Sequence, residues 1–387
     1  MISSSYCIVI SNCRDGARGE KVKVAIITLH RVYNYGSALQ AYATQTVFEK
    51  AGYEAEVIDY ITEQRTKKQI MKTAAAGSNK KMPNFVYKFF KIFSIALKEM
   101  TFGKFVKKNL HLTKQYITAD DLEKDPPQAD IYVTGSDQTW NSQYNGGVDR
   151  GFFLTFAPKD KAKVSFVASF GKSHLSDKEV SETQPLIAEY KKLSVREDSA
   201  LDVLHQLGRD DGVQLIDPTL QLTKDEWLRL ASPRLVKQPY LILMLLYNED
   251  NHATEYARKI ADKKGLKLIK ISWEMKKPPM VDQLFTHRSP ADFLSLFANA
   301  DFVVTNSFHG LAFSINLERD FVVVPRNEFN SRIESLLTLT DLQERLVSTE
   351  NAALAESEKP IDYGNVNTRL AEERQKAKEY IESLRQL

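Results

Sequence analysis

The 387-residue chain is poor in the residues that build disulfide frameworks and metal sites. It has two cysteines, Cys7 and Cys13, and no further cysteine or histidine lies near them at the spacing of zinc ligands. We therefore expect neither a disulfide framework nor a metal site. Glycine and proline number 16 and 13, too few for a collagen-like, repetitive or disordered chain. The composition is typical of a soluble protein from a reducing compartment, and the length favours two domains.

Long apolar runs and a strong charge imbalance are also lacking. No stretch approaches the roughly 18 apolar residues that span a bilayer. The start, MISSSYCIVISNCRDG, lacks the basic region and cleavage site of a signal peptide. The formal net charge is +3, and no nucleic-acid recognition motif accompanies it, so we expect no nucleic-acid partner. The sequence predicts a cytoplasmic protein in which residues 1–22 form a loosely ordered extension.

Positive charge is concentrated in one segment. Between Arg65 and Lys108 there are twelve lysines or arginines and one acidic residue, Glu99. The apolar residues of a predicted amphipathic helix recur there at helical spacing: Phe85, Phe89, Ile92, Ala96 and Met100. Such a segment, residues 85–108, fits peripheral contact with the anionic inner face of a membrane. It fits equally well a solvated helix whose apolar stripe packs on its own domain.

Strand-like apolar runs alternate with helical patterns, which indicates an α/β fold with parallel sheets. The strands of a first series are predicted at 22–29, 55–60, 129–137, 162–171, 191–198 and 213–220, and those of a second at 239–247, 266–272, 300–307 and 320–325. We expect two Rossmann-like domains that face a central cleft, residues 23–220 and 239–365, joined by a linker at 221–238. A C-terminal helix, 366–387, is expected to pack back on the first domain.

Polar residues follow the predicted strands of the first domain where a ligand of an open parallel sheet would bind. The turn after the first strand carries Asn34, Tyr35 and Gly36, whose backbone N–H groups offer either an anion or hydroxyl site or a simple capping turn. A second cluster consists of Ser136, Asp137, Gln138, Trp140 and Asn141. Carboxylate, amide and aromatic ring together suit a sugar, although plain loops also carry such residues.

Two further strand ends carry groups that suit acid/base and anion chemistry. Arg196 precedes two acidic residues, so it either binds a carboxylate or phosphate or pairs with those acids. His309 stands in the first turn of a predicted helix, after Asn306 and Ser307. The positive end of a helix disfavours imidazolium, which leaves a neutral histidine that can accept a proton. A lone histidine is often only a satisfied core residue, but four polar strand ends together favour a functional role.

The motifs LHRVYNYGSALQAY, YVTGSDQTWN, LSVRED, IDPTL and ADFVVTNSFHGLAFSI occur in this order between residues 29 and 315. In sequence, order and spacing they resemble the polysaccharide pyruvyl transferase family, over about Val24 to Leu346. The resemblance implies a fold like that of the two-domain GT-B glycosyltransferases. It also implies transfer of the enolpyruvyl carbons of phosphoenolpyruvate onto a sugar as a cyclic ketal, with release of phosphate and no cofactor.

The second domain is expected to be the donor side, and the resemblance implies roles for two residues. His309 matches the acid/base histidine, and Arg196 matches an arginine that binds the donor's anionic groups. Many members have Arg-Leu-His-Gly where this chain has Ser307, Phe308, His309 and Gly310. Arg326, Arg332 or the helix N-terminus would then supply the missing positive charge. The first-domain clusters at residues 34–36 and 136–141 are assigned to the acceptor, a sugar that is lipid-linked if the basic helix docks on a membrane.

Two other functions fit the same sequence. One is a GT-B glycosyltransferase that uses a nucleotide sugar, although the chain has no glycine-rich diphosphate loop with an acidic residue about 20 positions further on. The other is a non-catalytic sugar-binding subunit of a polysaccharide-synthesis complex, which the serine at position 307 would favour. Neither the acceptor sugar nor the oligomeric state is written in the sequence.

Overall fold

The computed structural model describes residues 21–62, 66, 92–93, 95–246, 251–273, 276–326 and 330–387. Most of the predicted N-terminal extension and of the basic segment before residue 92 lies outside these ranges. Within them, no helix is long and apolar enough to cross a membrane.

The first domain is built on five parallel strands in the order β3-β2-β1-β4-β5. They are β1 (Lys23–Ile27), β2 (Glu54–Tyr60), β3 (Leu112–Tyr116), β4 (Ile131–Thr134) and β5 (Ala162–Ser165). Two short strands, β6 (Ser194–Val195) and β7 (Val213–Gln214), pair with each other and continue the sheet edge through a bridge from Ala168 to Val195. The central strands are covered on both faces, which explains their continuous apolar sequences.

The second domain repeats this order with β10-β9-β8-β11-β12, again all parallel. Its strands are β8 (Tyr240–Met244), β9 (Lys267–Ile271), β10 (Gln283–Phe285), β11 (Phe302–Thr305) and β12 (Phe321–Val323). In each sheet the connections reverse direction beside the central strand, between β1 and β4 and between β8 and β11. Ligands of doubly wound sheets bind at such points. The prediction of two Rossmann-like domains with parallel sheets is confirmed.

Helices cover the sheets and connect the strands. Those of the first domain and the connection are α1 (Tyr35–Lys50), α2 (Lys104–Asn109), α3 (Ala119–Lys124), α4 (Ser142–Asn145), α5 (Asp177–Ala188), α6 (Ser199–Gln206), α7 (Pro218–Gln221) and α8 (Lys224–Leu230). Those that follow are α9 (Asn251–Lys264), α10 (Pro290–Ala298), α11 (Phe308–Asn316), α12 (Ser331–Thr340), α13 (Glu350–Ser357) and α14 (Tyr363–Ser383). The predicted linker thus contains α8, whose buried Trp227 contacts Tyr42 on one side and Phe313 on the other. The domain boundaries stay a prediction.

The C-terminal helix α14 returns to the first domain, as predicted. Near its end, the Ile381 carbonyl accepts a 2.9 Å hydrogen bond from the Tyr53 hydroxyl. From the preceding residue, the Tyr380 hydroxyl donates to the Ser165 carbonyl at 2.8 Å. The helix therefore fastens the two domains together.

The described part of the basic segment contains a π-helical turn, Glu99–Gly103, that leads into α2. Phe102, Phe105 and Val106 are buried against the first domain. Ile92 and Met100, which belong to the predicted apolar stripe, are 55% and 69% exposed. In the described part, therefore, the predicted stripe faces solvent, and a different set of apolar residues holds the segment to the domain.

Candidate active site between the two domains

The turn after β1 meets the turn after β11 across the domain interface. Tyr35, the first residue of α1, stacks on Phe293 of the second domain with ring centroids 4.7 Å apart, and on Trp273 at 5.8 Å. Next to it, Gly36 lies directly against the imidazole of His309. A Cβ atom at position 36 would lie 2.0 Å from the ring Cγ and Nδ1. Glycine is therefore required here, because no side chain fits between this backbone and the ring.

The loop between β11 and α11 is held by its own polar side chains. The Asn306 side chain accepts a 2.7 Å hydrogen bond from the Leu246 N–H, which ties the end of β11 to the residues that follow β8. Ser307 caps α11 by accepting a 3.3 Å bond from the Gly310 N–H. A Cβ atom at Gly310 would lie 2.3 Å from the Thr305 hydroxyl oxygen, so this glycine allows close packing of helix and strand. Asn306, Ser307 and Gly310 thus shape the loop that presents the histidine.

His309 is 7% exposed, and its Nε2 atom is buried without a hydrogen-bond partner in the described part of the chain. Burial is the main cause that lowers the pKa of His309. The nearby carboxylates of Asp217 and Asp137 oppose this shift, and the guanidinium groups of Arg196 and Arg332 add to it. The imidazole is consequently neutral at physiological pH and can accept a proton.

Arg196 lies beside the histidine among three carboxylates. Its Nη1 donates a 3.1 Å hydrogen bond to Asp217, and it lies 3.8 Å from Asp137. Its Nε is 3.6 Å from the carboxylate of Glu197, whose other oxygen accepts a 2.6 Å bond from the Ser169 hydroxyl. Burial alone would lower the pKa of Arg196, but the three carboxylates raise it. Both predicted roles of Arg196 are therefore compatible with the geometry, since ion pairs orient a guanidinium that keeps free donors.

The two aspartates are fixed by hydrogen bonds of their own. Asp137 has a positive φ of 77° and accepts a 2.5 Å bond from the Ser37 hydroxyl. Asp217 caps α7 through the Thr219 N–H at 2.9 Å and also accepts from the Ser136 hydroxyl at 3.1 Å. Burial would raise both pKa values, yet neighbouring positive charge and these hydrogen bonds lower them. Both groups are therefore ionised and hold Arg196 in place.

Several buried polar atoms around Arg196 lack a hydrogen-bond partner in the described part of the chain. They are Nε2 of Gln138, Nε and Nη2 of Arg196, one carboxylate oxygen of Glu197, and Nε2 of His309. Buried polar groups are normally paired, so unpaired ones require an explanation. Donors and an acceptor collected around one arginine are complementary to a polar, anionic ligand or to the water that replaces it.

A second arginine stands close by. Arg332, at the start of α12, lies 5.8 Å from the centroid of the Phe308 ring, and Arg196 lies 4.8 Å from the same centroid. Burial and the charge of Arg196 lower the pKa of Arg332. Among the described residues it makes no hydrogen bond or ion pair. Arg326 lies after β12, where its main chain exchanges hydrogen bonds with the side chain of Asn330.

The predicted sugar-stacking role of Trp140 is wrong. The ring is 3% exposed and stacks on Phe153, with centroids 5.6 Å apart, and also contacts Phe170. Both faces of the indole are therefore occupied by the core of the first domain. The sequence could not show this, because an aromatic residue after a buried strand is equally compatible with a core and with a cleft.

Two predicted binding asparagines are helix caps instead. Asn34 accepts a 2.9 Å bond from the Gly36 N–H, so this N–H is not free to bind an anion. Asn141 caps α4 by accepting from the N–H groups of Gln143 and Tyr144.

Sequence reasoning did not select Asp217 and Glu197 as site residues, although they contact Arg196. Asp217 precedes a proline at a helix start, where an aspartate is common as a cap. A motif of this kind gives no signal that the second carboxylate oxygen reaches an arginine. In the described ranges, no group of three or more His, Cys, Asp or Glu residues could hold a metal ion.

Three solved structures are among those to which this chain is similar. A Streptomyces glycosyltransferase complexed with thymidine diphosphate is 14% identical, with a TM-score of 0.47, covering 95% of this chain and 100% of that one. A Methanocaldococcus jannaschii UDP-GlcNAc 2-epimerase is 11% identical, with a TM-score of 0.48, covering 88% and 93%. A Thermobaculum terrenum O-GlcNAc transferase is 14% identical, with a TM-score of 0.46, covering 94% of this chain but only 64% of its own longer chain.

Sequence comparison assigns the family. None of the curated proteins matches this chain at a significant level. The family model described as polysaccharide pyruvyl transferase matches residues 34–328. This range contains both helix N-termini that meet at His309, together with Arg196 and its three carboxylates. The chain belongs to the polysaccharide pyruvyl transferase family and is a transferase.

Proposed function

We propose that this protein transfers pyruvate from phosphoenolpyruvate to a sugar as a cyclic ketal, in the synthesis of a bacterial surface polysaccharide. One observation carries the proposal: in the described part of the chain, a buried histidine whose Nε2 has no hydrogen-bond partner lies beside an arginine whose buried Nη2 has none either. This is an acid/base group next to an anion-binding group, at the interface of two Rossmann-like domains.

The donor is bound by positive charge from two helices. Phosphoenolpyruvate has a carboxylate and a phosphate, and guanidinium groups bind both by paired hydrogen bonds. Arg196 offers Nη2, since its Nε lies 3.6 Å from the Glu197 carboxylate, and Arg332 lies 5.8 Å from the centroid of the Phe308 ring that Arg196 also contacts. We assign to Arg332 the positive charge that the family pattern places at position 307. The N-terminus of α11 adds its partial positive charge.

The reaction needs two proton transfers, and His309 serves both. The neutral imidazole takes a proton from an acceptor hydroxyl as the oxygen attacks C2 of the donor. The imidazole passes this proton to the methylene carbon, which becomes a methyl group. The bond from C2 to the phosphate oxygen then breaks, and a second hydroxyl closes the ketal as the imidazole takes its proton and passes it to the departing phosphate. Acid/base assistance of this kind contributes about 10²- to 10⁴-fold in rate, and Arg196 stabilises the charge that develops on the departing phosphate.

A membrane-bound acceptor is the second part of the proposal. In the described part of the basic segment, Ile92, Phe93 and Met100 are more than half exposed, and Lys104 and Lys107 are exposed beside them. Apolar side chains flanked by lysines bind anionic lipid surfaces. We propose that this face holds the enzyme at the inner face of the membrane, where a lipid-linked oligosaccharide would be presented.

Liposome sedimentation at low salt tests the membrane contact. Vesicles with an anionic lipid should bind the wild-type protein, and M100E should reduce binding. L228E is the matched control, because Leu228 is an exposed leucine on α8 outside the segment. Equal binding of all three proteins would refute the contact.

Donor binding and turnover test the central proposal. Phosphoenolpyruvate at about 100 times its Kd should stabilise the native state by roughly 2.7 kcal/mol, which a thermal-shift titration detects. UDP-, GDP- and CMP-sugars are titrated in parallel, and a shift with one of them alone would instead indicate a glycosyltransferase. H309A should retain the phosphoenolpyruvate shift and lose phosphate release with acceptor. H205A is the control, since His205 is an exposed histidine paired with Asp210.

A further inference from the structure

A cavity of about 380 Å³ lies at the carboxyl ends of β1, β2 and β3, a region that the catalytic residues do not occupy. Its walls come from the turn after β1, from the residues that follow β2 and β3, and from the π-helical turn with α2. The volume falls within the range of small-molecule sites. The cavity is therefore large enough for a sugar unit.

The charges at this cavity balance. The Nε and Nη2 atoms of Arg31 donate to both carboxylate oxygens of Asp59 at 2.5 Å each, and Nε2 of His30 lies 3.0 Å from the first oxygen. Burial would raise the pKa of Asp59, but the hydrogen bonds from His30 and Arg31 lower it well below its usual value. Arg31 is thus neutralised, and Lys107 in the cavity wall is opposed by Glu99. An uncharged polar ligand fits such a wall better than a phosphate or nucleotide.

The wall combines hydrogen-bonding groups with apolar surface. Gln115 and Tyr33 line the same space as Arg31, and Phe102 and Ile117 supply apolar contacts. The Gln115 amide donates to Asp59 and the Tyr33 hydroxyl to Glu99, each at 3.3 Å, so the oxygen atoms of both side chains can still accept from a ligand. Amide, hydroxyl and guanidinium groups serve as donors or acceptors for ligand hydroxyls. The apolar residues suit the C–H faces of a pyranose ring.

The cavity is connected to the catalytic residues through one turn. Tyr33 lines the cavity. Three residues later, Gly36 contacts the imidazole of His309. Phe102 lines the cavity as well, and its ring centroid is 5.0 Å from that of Tyr35 at the domain interface. The cavity and His309 therefore adjoin the same turn, so a saccharide that reached both would be longer than one unit.

We propose that this cavity is a saccharide-binding subsite, which holds a sugar unit of the acceptor other than the one that receives the ketal. The inference rests on the proposed function and extends it, because it predicts an oligosaccharide acceptor rather than a monosaccharide. Arg31, Tyr33 and Gln115 are the polar groups that would contact this unit.

Filling the cavity tests the subsite. Ile117 lines the cavity and is 41% exposed. The larger side chain of I117W would therefore fill part of the cavity without forcing an oversized ring into the core. Leu228 is also 41% exposed and does not line this cavity, which makes L228W the matched control. Fluorescently labelled proteins are applied to an array of bacterial glycans, and binding of the best glycan is then measured by calorimetry. Wild-type protein and L228W should bind, and I117W should bind at least about tenfold more weakly. Inorganic phosphate should not compete.

A second variant protects the test against misfolding. Q115A removes one polar group without adding volume, and several-fold weaker glycan binding is expected at an unchanged thermal midpoint. Undiminished glycan binding by both I117W and Q115A would overturn the inference, as would absence of glycan binding by the wild-type protein or competition by phosphate.

The subsite and the proposed function fail in distinguishable ways. If I117W loses glycan binding and phosphoenolpyruvate gives no thermal shift with any variant, the subsite stands and the proposed donor is wrong. If phosphoenolpyruvate stabilises wild-type protein and I117W equally while glycan binding is unaffected by the substitution, the donor site stands and the subsite is refuted.

Discussion

Gly36 of the first domain and His309 of the second are in such close contact that a methyl group on the glycine would lie 2.0 Å from the imidazole Cγ. The glycine N–H is taken by Asn34, so the residue serves by having no side chain rather than by donating a hydrogen bond. The position of the imidazole therefore depends on a backbone segment from the other domain. This relationship makes the domain interface part of the candidate active site.

Replacing Gly36 by alanine should disturb the histidine and leave the fold of each domain intact. We expect G36A to lose most of its transferase activity, on the order of 10²-fold, since small misplacements of a catalytic group cost that much. The measurement is phosphate release from phosphoenolpyruvate with acceptor present.

The chain offers a close control for G36A. Gly364 is also the second residue of a helix, follows a tyrosine, and donates its N–H to the preceding N-cap residue, Asp362. A Cβ atom there would meet only the Asp362 carboxylate, at 3.1 Å. G364A should keep full activity. Equal activity of G36A and G364A would show that the contact with His309 is dispensable.

Removing Arg332 should weaken donor binding with little loss of stability. In the described part of the chain the residue has no ion-pair partner, and the charge of Arg196 helps to lower its pKa, so R332Q removes a repulsion as well as a charge. Hydrogen bonds to charged groups contribute about 1.5–3 kcal/mol, so the Kd for phosphoenolpyruvate should rise roughly ten- to a hundredfold.

Titration calorimetry of R332Q gives this Kd, and R369Q is the control. Arg369 is a partly exposed residue that pairs with Asp341 at 3.1 Å, away from the site. An unchanged Kd in R332Q would assign the phosphate contact to another group.

The buried imidazole of His309 should make the protein less stable in mild acid. Its pKa is lowered in the native state, whereas a histidine in the unfolded chain titrates near about 6.5. Below that pH the unfolded chain binds a proton that the native state does not, so the free energy of unfolding falls as the pH falls. The limiting slope for one proton is about 1.4 kcal/mol per pH unit.

Urea unfolding at pH 7.5 and pH 5.5 measures this effect. The loss of stability between the two values should be smaller in H309Q than in the wild-type protein. H205Q should act in the opposite direction, because the exposed pair with Asp210 raises the pKa of His205. Because the pKa of His309 is lowered, activity should be lost in acid at a lower pH than an ordinary histidine would give. Identical pH dependence in the wild-type protein and H309Q would mean that the imidazole is not buried in its neutral form.

The sequence predicted the parts of the fold that alternate between buried strands and helices. Runs such as those of β1 and β11 are apolar because both faces of the sheet are covered, and their pattern is unambiguous. The sequence did not predict β3 and β10. Edge strands such as Leu112–Tyr116 keep polar, partly exposed residues, and their pattern is therefore not apolar enough to indicate a strand. Parallel topology brings the carboxyl ends of the strands to one side, where Gly36, Asp137 and Arg196 lie near His309. The roles predicted for these residues stay predictions.

What the sequence could not give was which polar or aromatic side chain turns inward. Asp137, Gln138 and Trp140 are neighbours in the chain, yet they point to different places. Asp137 lies 3.8 Å from Arg196, the Gln138 amide lies beside Gly171, and Trp140 enters the core. The direction depends on the positive φ of Asp137, which turns the chain after β4. A local conformation of this kind is imposed by tertiary contacts, here by the hydrogen bond from Ser37.

Trp140 should accordingly matter for stability and not for sugar binding. Its ring packs between Phe153 and Phe170, and its Nε1 donates to the Phe152 carbonyl at 3.2 Å. Truncation in W140A should cost about 3–5 kcal/mol in the free energy of unfolding, as for other large buried residues. W140F keeps most of the packing and should cost less, while leaving the affinity for glycan unchanged. Urea unfolding and calorimetry with the best glycan from the array separate the two roles. A marked loss of glycan affinity in W140F at retained stability would restore the indole to the acceptor site.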